Sequence, residues 1–447
     1  MADTAAVTNG APYGFRGAIL DFVGDPFYES PQDCVRYWPD GLLVVQGGQV
    51  VACGAFDDLT PQFPDLAMTT YRDRLLLPGF IDTHIHFPQL TMMAAYGEQL
   101  LEWLQRYTFP TEAQFKDKAF ARPMADRFLT ELLRHGTTTA LVFAAVFPES
   151  AEALFEAAAA RHLRLIAGKV MMDRNAPDYL RDTAESSYAE SRRLIETWHK
   201  RDRLLYAVTP RFAVTSTPEQ LVLAGRLLQE FPDVYLHTHL SENVDEVALV
   251  KATYPDHEGY LDVYDQAGLV GDRAVFAHGV QLTEGEFARL SEAGAAIAFC
   301  PTSNLFLGSG LFPLEKAKSR TTPVKVGLGT DVGAGTSFSL LQTTQDAYKV
   351  AQLRRQTLSA FQALFLATLG GARALNLEGY LGNFLPGKEA DFVVLDPQAN
   401  PALALRNPVA TASTSGAVAE LAFALMMLGD DRAVTATYIL GQQAYPS

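Results

Sequence analysis

Three cysteines in 447 residues are too few for a disulfide framework. Cys34, Cys53 and Cys300 also lie too far apart to supply the Cys-x-x-Cys pair of a cysteine zinc site. Such cysteine usage fits a reducing cytoplasm. Basic charge is scarce as well: 36 Lys and Arg stand against 51 Asp and Glu, a formal net charge of −15. A phosphate backbone would be repelled at long range, so no nucleic-acid partner is expected, and a small uncharged or cationic substrate is easier to accommodate. No apolar run is long enough to span a bilayer, and no membrane association is expected. The richest late run, residues 417–428, is short and interrupted by Glu420, and reads as a buried helix. Residues 1–17 lack the basic and apolar regions of an export leader, so secretion is not expected. The glycine-rich stretch 329–335 is not a phosphate loop, because no Gly-Lys-Ser/Thr follows it.

Hydrophobic residues make up 48% of the chain, enough for one large core and a smaller accessory layer. Residues 42–55 are rich in Val and Leu and turn at Gly47-Gly48, the pattern of a β-hairpin. From Thr83 to Asp331, apolar strand-like runs alternate with helix-like stretches such as 100–105 and 124–134. Strands are expected at 80–84, 137–143, 163–171, 204–210, 234–240, 274–278, 296–300 and 325–330. Eight parallel strands with intervening helices predict an α/β fold of the (β/α)8 TIM-barrel type, whose reactive side chains sit at the C-terminal ends of strands. A helical stretch at 362–375 then leads to a strand, Phe392-Val393-Val394-Leu395. The expected organisation is a barrel over 77–379 and a small β-sandwich domain composed of 1–76 and 380–447.

The strongest chemical signal is Pro78-Gly79-Phe80-Ile81-Asp82-Thr83-His84-Ile85-His86. Two histidines at i and i+2 of a strand share a face, so both imidazoles can meet one metal. Asp82 reads as structural, its side chain turned away. His237-Thr238-His239-Leu240-Ser241-Glu242 ends the fifth expected strand, His278 the sixth, and Gly329-Thr330-Asp331 the eighth. Five of the nine histidines thus fall at one rim of the barrel beside a carboxylate, whereas His135, His162, His199 and His257 fall in helices or loops and read as structural or solvated. Imidazole and carboxylate ligands with an open position suit a hydrolytic zinc, which lowers the pKa of its water to roughly 7. A bridging lysine on the fourth strand would imply a second metal. That strand has none, and Lys169 lies on the third, so one ion is expected.

With those residues placed, the chain resembles the amidohydrolase superfamily, and within it the guanine-deaminating branch. The likeness runs almost end to end. It is carried by Pro78 to Gln89, Tyr107 to Glu112, Thr209 to Phe212, His239 to Asn243, Phe276 to Gly279, Cys300 to Asn304 and Gly327 to Asp331. The first and last of these serve the whole superfamily, while His-Phe-Pro-Gln, Tyr-Thr-Phe-Pro-Thr-Glu and Thr-Pro-Arg-Phe narrow it to guanine.

The resemblance implies a guanine aminohydrolase, with His84, His86, His239 and Asp331 as zinc ligands. His239 is preferred over His237 because the ligand of the family stands three residues before the glutamate. It implies that His278 holds or polarises the attacking hydroxide, and that Glu242 shuttles the water proton to ring N3 as C2 is attacked. Asp331 then helps move protons to the departing amine. Arg211, at the 6-carbonyl, and Gln89 would read the purine edge, with Phe212 stacking on the ring or walling it. A homodimer is implied too. Arg211 as an ion-pair partner, Gln89 as a loop residue and Phe212 as core remain the plain structural alternatives. A deaminase of another purine or pyrimidine would share the same metal set, and a non-enzymatic relative would typically have lost it. The unrelated zinc deaminases that need Cys-x-x-Cys are excluded.

Overall fold

Residues 10–97 and 99–446 are described by a computed structural model of the chain. Residues 1–9, the first part of the stretch read for a leader, lie outside them, as do Glu98 and Ser447. Four strands come first: β1 (Tyr13–Phe22), β2 (Val35–Gln46), β3 (Gln49–Ala55) and β4 (Ala67–Pro78). Nine follow: β5 (Phe80–His86), β6 (Thr137–Phe143), β7 (Arg164–Gly168), β8 (Val170–Met171), β9 (Leu204–Pro210), β10 (Tyr235–Leu240), β11 (Ala274–His278), β12 (Ala296–Phe299) and β13 (Lys325–Leu328). The last three are β14 (Phe392–Leu395), β15 (Val434–Ile439) and β16 (Gln442–Tyr445).

β5, β6, β7, β9, β10, β11, β12 and β13 run in order as a parallel sheet that nearly closes on itself, with β8 pairing β9. At the seam, Thr83 Oγ1 donates to the Leu328 carbonyl at 3.0 Å and the Asp331 amide to that of His84 at 2.9 Å. Ile81, Leu141, Ile166, Ala207, Tyr235, Val275 and Ala298 fill the interior as a packed core. The expected third strand breaks at Lys169, whose fully buried ammonium turns to Asp182 Oδ2 at 2.8 Å and Glu190 Oε2 at 3.0 Å. β12 stops at Phe299 because Pro301 opens a helix, Pro301–Phe306.

A register irregularity between Asp82 and Ile85 decides which way the histidine strand faces. Asp82 pairs with Ala140, on the opposite face of β6 from the interior Leu141, and His86 pairs with Phe143, whose ring lies 4.7 Å from its own. Simple alternation would put Asp82 on the side of His84. The irregularity turns it away, and its carboxylate accepts from the amides of His84 and Thr330, both at 3.1 Å, tying β5 to the end of β13.

The terminal strands form a separate seven-stranded sheet in the order β16-β15-β14-β4-β1-β2-β3, antiparallel except where β1 meets β4. The hairpin joining β2 and β3 turns at Gly47 and Gly48, with φ of 58° and 80°, the left-handed pair a two-residue turn of this hand requires. Alternation along each strand gives the sheet two apolar faces. Phe15, Leu43, Val45, Leu76, Phe392, Val394 and Tyr438 form the core of the small domain, where the Phe392 and Tyr438 rings stack at 4.3 Å. Leu20, Phe22, Leu75, Leu77, Val393 and Leu395 join the main core against the barrel. Arg203, just before β9, donates to Asp391 and Glu389 beside β14 and holds the two units together at the barrel floor. The apolar stretch read as a buried helix is one, Ser415–Leu428, packed on the barrel-side helix Leu340–Leu353 through Tyr348 and Phe423 at 5.0 Å. Among the described residues no helix is long and apolar enough to cross a membrane.

Candidate metal centre and binding cavity

Each candidate side chain comes from a C-terminal strand end: His84 and His86 from β5, His237 and His239 from β10, His278 from β11, and Asp331 just past β13. The backbone is bent sharply at three of these ends. Ser241, His278 and Asp331 have φ of 49°, 76° and 51°, a left-handed conformation that costs a residue with a side chain about 1 kcal/mol or more. Close approach is needed too, since a Cβ on Gly329 would stand 2.8 Å from Cys300 Sγ and 2.9 Å from His84 Cβ.

Asp331 Oδ1 lies 3.2 Å from His84 Nε2 and 3.3 Å from His86 Nε2, and His86 Nε2 is 3.2 Å from His239 Nε2. His84, His86 and Asp331 form one cluster of potential metal ligands, and His84, His239 and His278 a second that shares His84. His84 Nε2 and His278 Nε2 are buried and have no hydrogen-bond partner among the described residues. Burial lowers the pKa of His84, carries His86 down to about 4 and holds His239 well below its usual range. Burial opposes the charge on Asp331, yet the adjoining His84 and His86 hold its carboxyl well below the usual range. Neutral imidazoles with bare nitrogens beside an ionised carboxylate are the donor set a zinc ion requires. The residues fit such an ion.

Hydrogen bonds behind the cluster orient it. His239 Nδ1 donates to the Arg211 carbonyl at 2.7 Å, which leaves Nε2 free. His278 Nδ1 faces Asn304 Oδ1 at 2.9 Å, and His84 Nδ1 faces His237 Nε2 at 2.7 Å. His237 therefore lies beneath the cluster, against a ligand candidate. The other four histidines are engaged elsewhere, His162 with Asp202 at 3.0 Å and His257 with Asp262 at 3.1 Å among them.

Glu242 is placed by a helix cap. Asn243 caps Val244–Thr253, with its side chain accepting from the Asp245 amide at 2.9 Å, and Glu246 Oε2 accepts from the amides of Glu242 and Asn243 at 2.8 and 3.2 Å. The Glu242 carboxyl then points at His278, with Oε2 3.4 Å from Nε2, and its Oε1 accepts from Ser309 Oγ at 3.0 Å. Burial first, and then the Asp331 charge, push Glu242 up to about 8. A carboxyl held near neutrality is suited to both accepting and returning a proton.

One cavity is lined by His86, His239, Glu242, His278 and Asp331 together with Gln89, Arg211 and Phe212. Leu100, Trp103, Leu104, Leu307 and Ala334 complete its largely apolar wall. Arg211 is thus both a cavity residue and an ion-pair partner, with Nη1 donating to Glu112 Oε2 at 2.8 Å. Sequence reasoning missed Glu112, Trp103, Leu104, Asn304 and Ser309. Glu112 and Asn304 stood inside motifs already singled out, but the segment from Leu100 to Lys116 is a chain of short helical turns with no strand-end signature.

The model of the amidohydrolase family matches residues 75–444. Guanine deaminase of Escherichia coli (strain K12) is 55% identical over 434 residues, 96% of this chain and 97% of its own. The solved E. coli guanine deaminase structure superposes with a TM-score of 0.93, covering 97% of this chain and 99% of that one. The guanine deaminase of C. acetobutylicum, solved with guanine in its active site, is 27% identical with a TM-score of 0.86, over 97% of this chain and 100% of that one. An adenosine deaminase from Xanthomonas campestris, crystallised with bound zinc, shares the fold at 24% identity and a TM-score of 0.80, over 96% of this chain and 92% of that one.

Proposed function

The chain belongs to the amidohydrolase family, and from that premise we propose that it converts guanine and water to xanthine and ammonia, using one zinc ion. The observation that carries this reading is the single cavity whose lining holds the His and Asp cluster, Glu242, and the polar pair Gln89 and Arg211 between apolar walls. An uncharged planar heterocycle is the ligand such walls suit.

His84, His86, His239 and Asp331 are the residues that would hold the ion. Bound there, zinc supplies a Lewis acid that makes water nucleophilic at neutral pH. Glu242 takes a proton from the attacking water and delivers it to ring N3, which makes C2 electrophilic. His278, backed by Asn304, orients the attacking oxygen, and Asp331 takes the remaining proton from that oxygen and passes it to the amine, so that C2 becomes a carbonyl as the C2–N bond breaks and ammonia leaves. Arg211 and Gln89 hold the 6-carbonyl side of the ring, and Phe212 walls it. An amino group at that position, as in adenine, would present a donor to Arg211 and be disfavoured. Lys169, occupied by Asp182 and Glu190, supports a single ion. The same reading takes the enzyme as a homodimer by family resemblance, and as cytoplasmic from its three free, dispersed cysteines.

The test is ammonia release by zinc-loaded protein with guanine, adenine and cytosine, beside a Glu242→Gln variant. Turnover of guanine alone and an inert variant that retains zinc are expected. Turnover of a different ring instead would leave the metal site standing and overturn the roles of Arg211 and Gln89.

A further inference from the structure

Glu112 does not line the cavity, yet it is buried, 1% exposed, between two residues that do. Its Oε2 accepts from Arg211 Nη1 at 2.8 Å and its Oε1 from Gln89 Nε2 at 3.0 Å. Gln89 Oε1 in turn accepts from the Gly333 amide at 3.2 Å. We infer that Glu112 is a positioning residue that fixes how Arg211 and Gln89 present hydrogen-bonding groups to the base, and so sets discrimination at the 6-position. This rests on guanine being the substrate.

A carboxylate only accepts, and a backbone amide only donates. Gln89 is therefore held in one amide orientation, with its nitrogen toward Glu112 and its oxygen toward Gly333, leaving one N–H and one lone pair for a ligand. Arg211, only 2% exposed, has its charge balanced by Glu112 and keeps further N–H donors free on the fork that Glu112 aligns. The Arg211 ring contact, 5.6 Å over Phe109, holds the guanidinium on the same segment that carries Glu112. Balanced charge suits a neutral ligand, and fixed donors beside a fixed acceptor match a carbonyl next to a ring N–H. With Gln at position 112, the side chain could donate as well as accept, Gln89 would be held in its orientation by the Gly333 amide alone, and Arg211 would lose its counter-charge.

The experiment compares hypoxanthine, which has the 6-carbonyl and no 2-amino group, with purine, which has neither. Equilibrium binding of both is measured by calorimetry on zinc-loaded wild type, Glu112→Gln and Glu112→Asp, beside guanine kinetics and zinc content. In the wild type hypoxanthine should bind more tightly. In Glu112→Gln that preference should narrow about tenfold, with KM for guanine rising by a similar factor, kcat changing less and zinc content unchanged. Should the Gln variant fail to fold, Glu112→Asp, one methylene too short to reach both partners, should still narrow the preference about threefold. A wild type that binds hypoxanthine no better than purine overturns the guanine reading itself. A wild type with the preference, and folded variants that keep it, overturn only the role of Glu112.

Discussion

His237 Nε2 lies 2.7 Å from His84 Nδ1, inside the barrel and two residues before His239 on the same strand. A neutral imidazole carries one proton. For His84 to present a bare Nε2 beside Asp331, that proton must sit on Nδ1 and be donated to His237, which thereby sets the form of its neighbour. His237→Phe should lower zinc affinity about 10- to 100-fold in competition with a chelator, whereas His237→Gln, which retains an acceptor oxygen, should lose less. Equal zinc affinity in wild type and the Phe variant would remove His237 from any such role.

Ser309 reaches Glu242 from a different element, donating to Oε1 at 3.0 Å. A donor on a carboxylate stabilises the ionised form, so this bond lowers a pKa that burial has raised. Removing it in Ser309→Ala should push Glu242 higher. Since the ionised carboxylate is the form that accepts the proton of water, the acid limb of the kcat/KM profile should move to higher pH, by roughly half a unit to one unit. A limb that stays in place or moves down means that another group governs it.

Much of this site could be read along the chain because its ligand candidates sit at strand ends, where a two-residue period and an H-x-H pair mark them. The Gly47-Gly48 hairpin and the eight barrel strands were legible for the same reason, a local pattern with a local cause. The local pattern did not separate His237 from His239, because both face inward, and the preference for His239 came only from the spacing to Glu242 that the resemblance supplied. Glu112 escaped because its partners are distant in sequence, Gln89 by 23 residues and Arg211 by 99. The break at Lys169 was hidden for the same reason, since the carboxylates that draw its ammonium aside come from the following loop and helix.

Lys169 offers a direct check on metal number. Its ammonium is fully buried between Asp182 and Glu190, so Lys169→Met removes the counter-charge of Asp182, which keeps only the Met172 amide and Gln220 as donors, and should cost about 3–5 kcal/mol in chemical denaturation. Zinc content in the folded variant should equal that of the wild type. Loss of one ion from a wild type holding two would instead make Lys169 part of a second metal site.

Glu246 predicts a pH dependence of stability that does not involve the ion. Burial pushes its carboxyl up to about 7 from an ordinary 4.5, against the opposing hydrogen bonds from Tyr260 and the Asn243 and Glu242 amides. Between those two values the unfolded chain has released this proton while the folded chain keeps it. Folding therefore takes up a proton, and stability present below about pH 4.5 is lost as pH rises through 7, by up to about 3 kcal/mol. Glu246→Gln cannot ionise, and its carboxamide oxygen can still accept from the two backbone amides. In chemical denaturation of metal-free protein at pH 5 and pH 7.5, the wild type should lose stability relative to the variant on going to the higher pH. A difference that stays constant between the two would mean that Glu246 is already ionised in the folded chain at pH 5, with its charge carried by those amides and the Tyr260 hydroxyl.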